Sequence, residues 1–163
     1  MRIARKGDPE VLGRRGAVTC GPSRGHAPVT RKGASMIDHT GVGVGDFERS
    51  KAFYVAALGA IGYAKLMEFG PEVTGHTSVA GFGEPPKPDF WIHSGAPNTP
   101  PVHVAFRVDT RASVDAFHAA ALKAGGTDNG GPGLRPHYHA NYYGAFVRDP
   151  DGHNIEAVCH VPE

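Results

Sequence analysis

The chain has 163 residues, of which 40% are apolar and 20% are charged, and its formal net charge at pH 7 is +1. This length and composition are typical of one soluble domain with its own core. No apolar run approaches the roughly 20 residues of a membrane helix, and no apolar segment follows the basic start as in a secretory signal. We therefore expect a cytoplasmic protein that binds neither membrane nor nucleic acid.

Residues 1–35 differ in composition from the rest of the chain. They contain eight Lys and Arg residues against two acidic residues, and no apolar periodicity is sustained. Such a segment cannot bury enough apolar surface to offset its chain entropy, so we predict a disordered basic extension followed by a folded domain at residues 36–163. Met36 is an alternative start to Met1, and a chain beginning at Met36 is expected to keep its melting temperature.

The folded part is an internal repeat. His39 matches His103 at an offset of 64 residues (103 − 39 = 64), and Phe53 matches Phe117 at the same offset. Each copy begins with a strand pattern and continues into an amphipathic helix, about residues 46–60 and 110–124, before further strand-like stretches. The sequence thus predicts an α+β fold of two βαβββ modules, about residues 36–95 and 100–160.

The helix boundaries carry recognisable signals. Asp46 and Thr110 precede the two amphipathic stretches and are predicted N-caps. Gly62 follows the first helix, and Gly125 follows the second. The apolar stripes of both helices are interpreted as core rather than as a cofactor-binding surface.

The first strand of each module carries a histidine on one face. In HVAFRV the side chains of Val104, Phe106 and Val108 point one way, and His103 points the other way, as His39 does in the first copy. Glu156 lies in the strand that follows the DPDG turn, whose spacing does not fit a calcium loop. Two imidazoles and one carboxylate are a facial ligand set for a divalent metal.

Three stretches resemble the vicinal oxygen chelate superfamily, which includes glyoxalases, bleomycin-resistance and fosfomycin-resistance proteins, and extradiol dioxygenases. They are MIDHTGVGVGDFERSKAFYVAALGAIGY, PPVHVAFRV and YYGAFVRDPDGHNIEAV, and they span about residues 36–160. The resemblance implies that the paired modules form a cup-shaped mixed sheet and that subunits pair as a homodimer. It also implies a divalent metal ion, such as Zn, Mn, Fe or Ni, held by His39, His103 and Glu156.

The family's fourth ligand position has no matching carboxylate in this chain. The offset of the repeat leads from Glu156 to Ile92 (156 − 64 = 92), and a gap of one residue would lead to Trp91 or His93 instead. Whether His93 serves as a fourth ligand is a question that the sequence leaves undecided. The missing carboxylate argues against glyoxalase I activity, because in that enzyme a carboxylate from each module ligates the metal and proton shuttling uses a glutamate at the site.

The segment from Gly133 to Phe146 supplies the remaining candidates. Arg135, His137 and Tyr143 are predicted substrate contacts, and Tyr143 and Glu156 are the predicted catalytic residues. His137 and His139 would share a face if the segment were a strand and could then bind metal, whereas in a loop they would line the pocket. The glycine-rich stretches lack the spacing of a nucleotide-binding loop.

These features favour a divalent-metal-dependent lyase or oxygenase-like enzyme that acts on a small molecule with vicinal oxygens. The alternative is a metal-free protein of the same fold that binds or sequesters a small molecule, as bleomycin-resistance proteins do. A scaffold without activity is a third possibility, because fold alone does not decide function.

Overall fold

The computed structural model describes residues 37–163, so the predicted extension and Met36 lie outside the described part. The elements, in chain order, are β1 Thr40–Val44, α1 Phe47–Gly59, β2 Ala64–Phe69, α2 Pro71–Thr74, β3 Val79–Gly83, β4 Phe90–Ser94, β5 His103–Val108, α3 Arg111–Lys123, β6 Thr127–Leu134, β7 Tyr143–Arg148 and β8 Asn154–Cys159. Among these residues, no helix combines the length and the apolar character that crossing a bilayer requires.

Two four-stranded mixed sheets confirm the predicted α+β fold. The strand order is β1-β4-β3-β2 in module one and β5-β8-β7-β6 in module two. The first and last strands of each module pair in parallel, and the other pairs are antiparallel. In both sheets, therefore, the first strand of the module lies at an edge.

The predicted caps begin both long helices. The Asp46 side chain accepts a hydrogen bond from the Arg49 N–H at 3.1 Å, and the Thr110 hydroxyl accepts one from the Ser113 N–H at 3.1 Å. Each bond satisfies a backbone donor that has no partner within the helix.

The sequence did not reveal one strand or the short helix α2. β6 has the sequence TDNGGPGL, in which glycine and proline are turn signals rather than strand signals. The structure tolerates them because β6 is an edge strand with two register shifts against β7, and an edge strand need not donate every backbone N–H to a neighbour.

One core joins the two modules. Its buried residues come from both sheets and both long helices, and the Phe90 and Phe106 rings meet edge to face across the junction, with centroids 5.3 Å apart. Val42 and Ile92 of module one and Ile155 of module two are fully buried. The sheet face opposite the helix, called here the open face of each module, is therefore the side free for a site.

The DPDGH turn fastens module two to module one. It spans five residues, 149–153, between β7 and β8, and Gly152 has a φ of +91°. Buried Asp149 accepts hydrogen bonds from the Tyr54 hydroxyl at 2.6 Å and from the His153 N–H at 2.8 Å. The His153 imidazole accepts from the Val102 N–H at Nδ1 and therefore donates from Nε2 to the Gly43 carbonyl at 3.0 Å.

Candidate functional site

A buried carboxylate and an imidazole meet on the open face of module two. His103 begins β5 and Glu156 lies in β8, which is paired with it in parallel, so both side chains project from the same face. The His103 Nε2 atom is 3.1 Å from the Glu156 Oε2 atom. The Glu156 side chain is 2% exposed, whereas the His103 side chain is 50% exposed. The pair thus combines a desolvated anion with a ring that solvent or a ligand can reach.

Asn154 holds the other nitrogen of the His103 ring. The Asn154 backbone carbonyl oxygen is 3.0 Å from His103 Nδ1, and the Asn154 side-chain nitrogen Nδ2 is 2.9 Å from the same atom. Asn154 can therefore support either tautomer. With the proton on Nδ1, the Nε2 lone pair is free for a metal ion, and with the proton on Nε2, the ring donates to Glu156.

Tyr142 holds the second oxygen of the carboxylate. Its hydroxyl donates to Glu156 Oε1 at 2.5 Å, and burial together with this carboxylate raises the pKa of Tyr142 above its usual value. Gly144 makes this contact possible, because a Cβ there would lie 3.0 Å from Oε1 and 3.2 Å from the Tyr142 ring. Oε2 is thereby left to face His103.

The geometry of this pair fits a metal ion. With ligand distances of about 2.1 Å and adjacent ligands at right angles, donor atoms lie about 3.0 Å apart. The separation between His103 Nε2 and Glu156 Oε2 is 3.1 Å. Within residues 37–163, however, no three His, Cys, Asp or Glu side chains are grouped so as to hold an ion. Of the three predicted ligands, the described part of one chain therefore brings together two, His103 and Glu156.

His39 lies apart from this pair. Its side chain is 62% exposed, and its Nδ1 is 2.9 Å from an oxygen of Asp38. Lys87 and His39 lower the pKa of Asp38 by hydrogen bonding to its carboxylate. His39 and His103 both line a cavity of about 430 Å³ between the modules, together with Phe106 and Arg107.

The register of the sheets identifies the residue equivalent to Glu156. In module two Ala105 pairs with Glu156, and in module one the matching residue Gly41 (105 − 64 = 41) pairs with Trp91. Trp91 therefore occupies the fourth ligand position, whereas Ile92, to which the fixed offset leads, is fully buried in the core. His93 lies two residues beyond Trp91, on the same open face, and is exposed.

Tyr143 lies on the other side of the sheet from the candidate site. Its hydroxyl donates to Asp115 of α3 at 2.9 Å, and the Arg111 guanidinium lies over its ring at 5.2 Å. The sequence signal that places Tyr142, and not Tyr143, on the face of the candidate site is the alternation of buried and open-face residues along β7. Ala145 and Val147 are buried against the helix, so even-numbered residues face the other way.

Arg135 and His137 occupy different surroundings. The Arg135 guanidinium lies over the Phe146 ring at 5.7 Å and donates to the Gly131 carbonyl at 2.6 Å, near the candidate site. His137 is exposed and packs on Tyr138, with ring centroids 4.3 Å apart. The structure thus brings Arg135 towards the open face and leaves His137 in an exposed loop.

Comparison with known proteins gives matches over nearly all of the described chain. The profile of the Glyoxalase/Bleomycin resistance protein/Dioxygenase superfamily matches residues 36–157. A glyoxalase/bleomycin resistance protein from Albidiferax ferrireducens is 30% identical, with a TM-score of 0.59, over 78% of this chain and 100% of that chain. No curated protein sequence matches significantly.

Two further solved structures share the fold. A mutant of glyoxalase I from Zea mays is 25% identical, with a TM-score of 0.57, over 75% of this chain and 46% of that chain. A mutant of a fosfomycin resistance protein from Listeria monocytogenes, complexed with Mn(II) and a dihydroxypropylphosphonic acid, is 16% identical, with a TM-score of 0.58, over 78% of this chain and 94% of that chain. With its two βαβββ modules and the profile match over residues 36–157, the chain belongs to the Glyoxalase/Bleomycin resistance protein/Dioxygenase superfamily.

Proposed function

We propose that the protein is a divalent-metal-dependent enzyme of the lyase or oxygenase type that acts on a small molecule with vicinal oxygens. The observation that carries this proposal is the buried Glu156 carboxylate 3.1 Å from the His103 imidazole. A carboxylate that is 2% exposed is costly unless a cation or hydrogen-bond donors compensate its charge. A bound divalent ion would compensate it and act as a Lewis acid towards a chelating substrate.

The surrounding residues prepare this pair for such a role. Tyr142 fixes one carboxylate oxygen and Asn154 fixes the far nitrogen of the imidazole, so that Glu156 Oε2 and His103 Nε2 converge on one point. The Phe146 ring lies roughly parallel to the His103 imidazole, with ring centroids 6.3 Å apart. Arg135, over the same Phe146 ring, provides a positive charge for an anionic substrate oxygen.

We assign the third ligand, His39, to a second copy of the chain. His39 is 62% exposed and does not join His103 and Glu156 within one chain. β1 and β5 are edge strands in their sheets, with one side available for pairing with another copy. In the homodimer that we propose, His39 of one subunit completes the site of the other.

A cytoplasmic location is part of this proposal, and cell fractionation tests it.

Substitution of the carboxylate tests the metal site. Glu156→Gln keeps nearly the same volume and the hydrogen bond from Tyr142, but removes the charge. We expect the content of Mn²⁺ or Zn²⁺, measured by elemental analysis of protein purified without a His-tag, to fall at least about tenfold, with the circular dichroism spectrum unchanged. Unchanged metal affinity would mean that Glu156 is a buried polar residue with no ligand role.

Mixing two variants tests the shared site. His39→Ala and Glu156→Ala each remove one ligand, and a mixed dimer would contain one intact site made from His39 of one subunit and Glu156 of the other. We expect mixtures refolded together to regain metal binding that neither variant has alone. A monomer by light scattering that binds metal with full affinity would contradict the shared site.

The second candidate is a metal-free binding protein of the same fold. The observation that favours it is that one chain, over the part that the structure describes, groups two metal-ligating side chains rather than three. In that case Glu156→Gln would leave small-molecule affinity unaltered in the presence of a chelator, and the wild-type protein would show no metal-dependent activity.

A further inference from the structure

The open face of module one is built around one indole ring. Trp91 in β4 pairs with Gly41 of β1 on one side and with Gly81 of β3 on the other. A Cβ at Gly81 would lie 2.8 Å from Trp91 Cη2 and 2.9 Å from Cζ3, so the indole rests directly on the Gly81 backbone. A Cβ at Gly81 would also lie 2.9 Å from Pro88 Cβ, so a side chain at this position would push against both the ring and Pro88, and the bare Gly81 backbone gives the indole its place.

The indole borders a cavity of about 280 Å³, called here the Trp91 cavity. The residues that line it include Val79, His39 and His93. The Trp91 cavity is a groove open to solvent on one side, and its volume exceeds the volume of about 150 Å³ that holds benzene in an enclosed apolar cavity, so one substituted ring has room here. Aromatic walls favour offset or edge-to-face contact with another ring, which a saturated molecule of equal size cannot make as well.

We propose that the Trp91 cavity binds the planar aromatic part of the substrate, with Trp91 as the residue that determines this specificity. Among the described residues that line it, none is acidic, and two are histidines. Within this lining, therefore, no carboxylate repels a neutral or anionic ring. The Trp91 cavity is the aromatic subsite of a larger site.

This assignment deepens the proposed function and rests on it for the position of the reacting oxygens. His39 lines the Trp91 cavity and also the cavity that contains His103. A ring seated on Trp91 would therefore lie beside His39, which we assign as a metal ligand to the site of the partner subunit. The equivalent position in module two holds the ligand Glu156, so one repeat position supplies ring recognition in one module and charge in the other.

The single tryptophan of the chain makes the cavity directly observable, since all tryptophan fluorescence comes from Trp91. We would titrate chelator-treated, full-length protein with 4-nitrophenol, which has a planar ring but no vicinal oxygens, and correct the quenching against free N-acetyltryptophanamide. We expect saturable quenching and a matching calorimetric binding curve. Cyclohexanol, a saturated ring, should bind at least about tenfold more weakly.

Four variants complete the test. Trp91→Ala should weaken 4-nitrophenol binding about tenfold or more by calorimetry, while Trp91→Phe, which keeps a ring, should stay within about threefold. Gly81→Ala should reproduce the loss by displacing the indole, whereas Gly59→Ala, where a Cβ meets nothing within 4 Å, should not. If Gly81→Ala does not fold, the two Trp91 variants decide the matter.

Two results would overturn the aromatic subsite: unchanged affinity of Trp91→Ala for 4-nitrophenol, or equal affinities for 4-nitrophenol and cyclohexanol. The chelator-treated protein holds no metal during the titration, so the affinity for 4-nitrophenol does not depend on the metal site. Failure of the metal site and failure of the aromatic subsite are therefore measured separately.

Discussion

The two modules share one plan and carry different chemistry. Both use capped 13-residue helices and the same strand order, and both bury apolar side chains on the helix side of the sheet. On the open face, module one presents glycines, Trp91 and the exposed His93, whereas module two presents the desolvated Glu156 held by Tyr142 and His103.

This difference shows which face of a repeated unit the fold constrains. Helix-side residues such as Val42 and Ile155 must fill a common core at close packing, so their apolar character persists in both copies. Open-face residues contribute less to stability and can diverge. The same repeat position can therefore hold a glutamate in one copy and a tryptophan in the other without loss of the fold.

The largest expected effect is the difference in stability loss between substitutions on the two faces of β4. Ile92→Glu places a carboxylate in the shared core and should lower the free energy of unfolding by about 4 kcal/mol or more. Trp91→Glu places the same group on the open face and should cost less than about 2 kcal/mol. Urea unfolding followed by circular dichroism measures both values. Equal costs would contradict the assignment of Trp91, rather than Ile92, to the position of Glu156.

The next effect concerns the turn that joins the modules. Asp149→Ala leaves the buried Tyr54 hydroxyl and two backbone N–H groups without their acceptor, and should cost about 3 kcal/mol, or roughly 10 °C in melting temperature. Asp115→Ala is the control, because exposed Asp115 accepts one hydrogen bond at the surface and its loss should cost less than about 1 kcal/mol. Calorimetric melting of both variants checks this difference.

A smaller effect distinguishes two adjacent tyrosines. Tyr142→Phe removes the donor to Glu156 Oε1 and should weaken Mn²⁺ binding about tenfold, as is usual when a partner of a metal ligand is lost. Tyr143→Phe acts on the α3 side and should leave Mn²⁺ affinity unchanged. Calorimetric titration with Mn²⁺ gives both affinities. A loss of Mn²⁺ affinity with Tyr143→Phe alone would instead support Tyr143, the tyrosine that the sequence predicts to be catalytic.

The smallest effect appears at alkaline pH. Burial and the neighbouring Asp149 raise the pKa of Tyr54 well above its usual value of about 10. Above that pH the unfolded chain releases the Tyr54 proton and the folded chain keeps it, so the folded state loses stability as the pH rises, by about 1.4 kcal/mol per unit for this residue. Tyr54→Phe should have a shallower decline between pH 10 and 11 in urea unfolding, whatever its stability at pH 7. Identical slopes would exclude this contribution.

Periodicity and capping signals made much of the fold predictable. The 64-residue repeat, the caps Asp46 and Thr110 and the alternation of β5 led to two βαβββ modules, and the structure confirms them. β6 escaped prediction because its glycines and proline are tolerated only at the sheet edge. The ligand roles of His39, His103 and Glu156 stay a prediction, since one chain joins only the last two.

By itself, the sequence determined the features that depend on neighbours along the chain: helix ends, strand faces and the repeat. Only the tertiary structure decided which side chains meet across strands, because a shift of one residue in register moves a side chain to the opposite face. It placed Trp91 rather than Ile92 at the position of Glu156, and Tyr142 rather than Tyr143 beside that carboxylate. It also showed that the DPDGH turn binds Tyr54 and Gly43, more than 90 residues earlier in the chain.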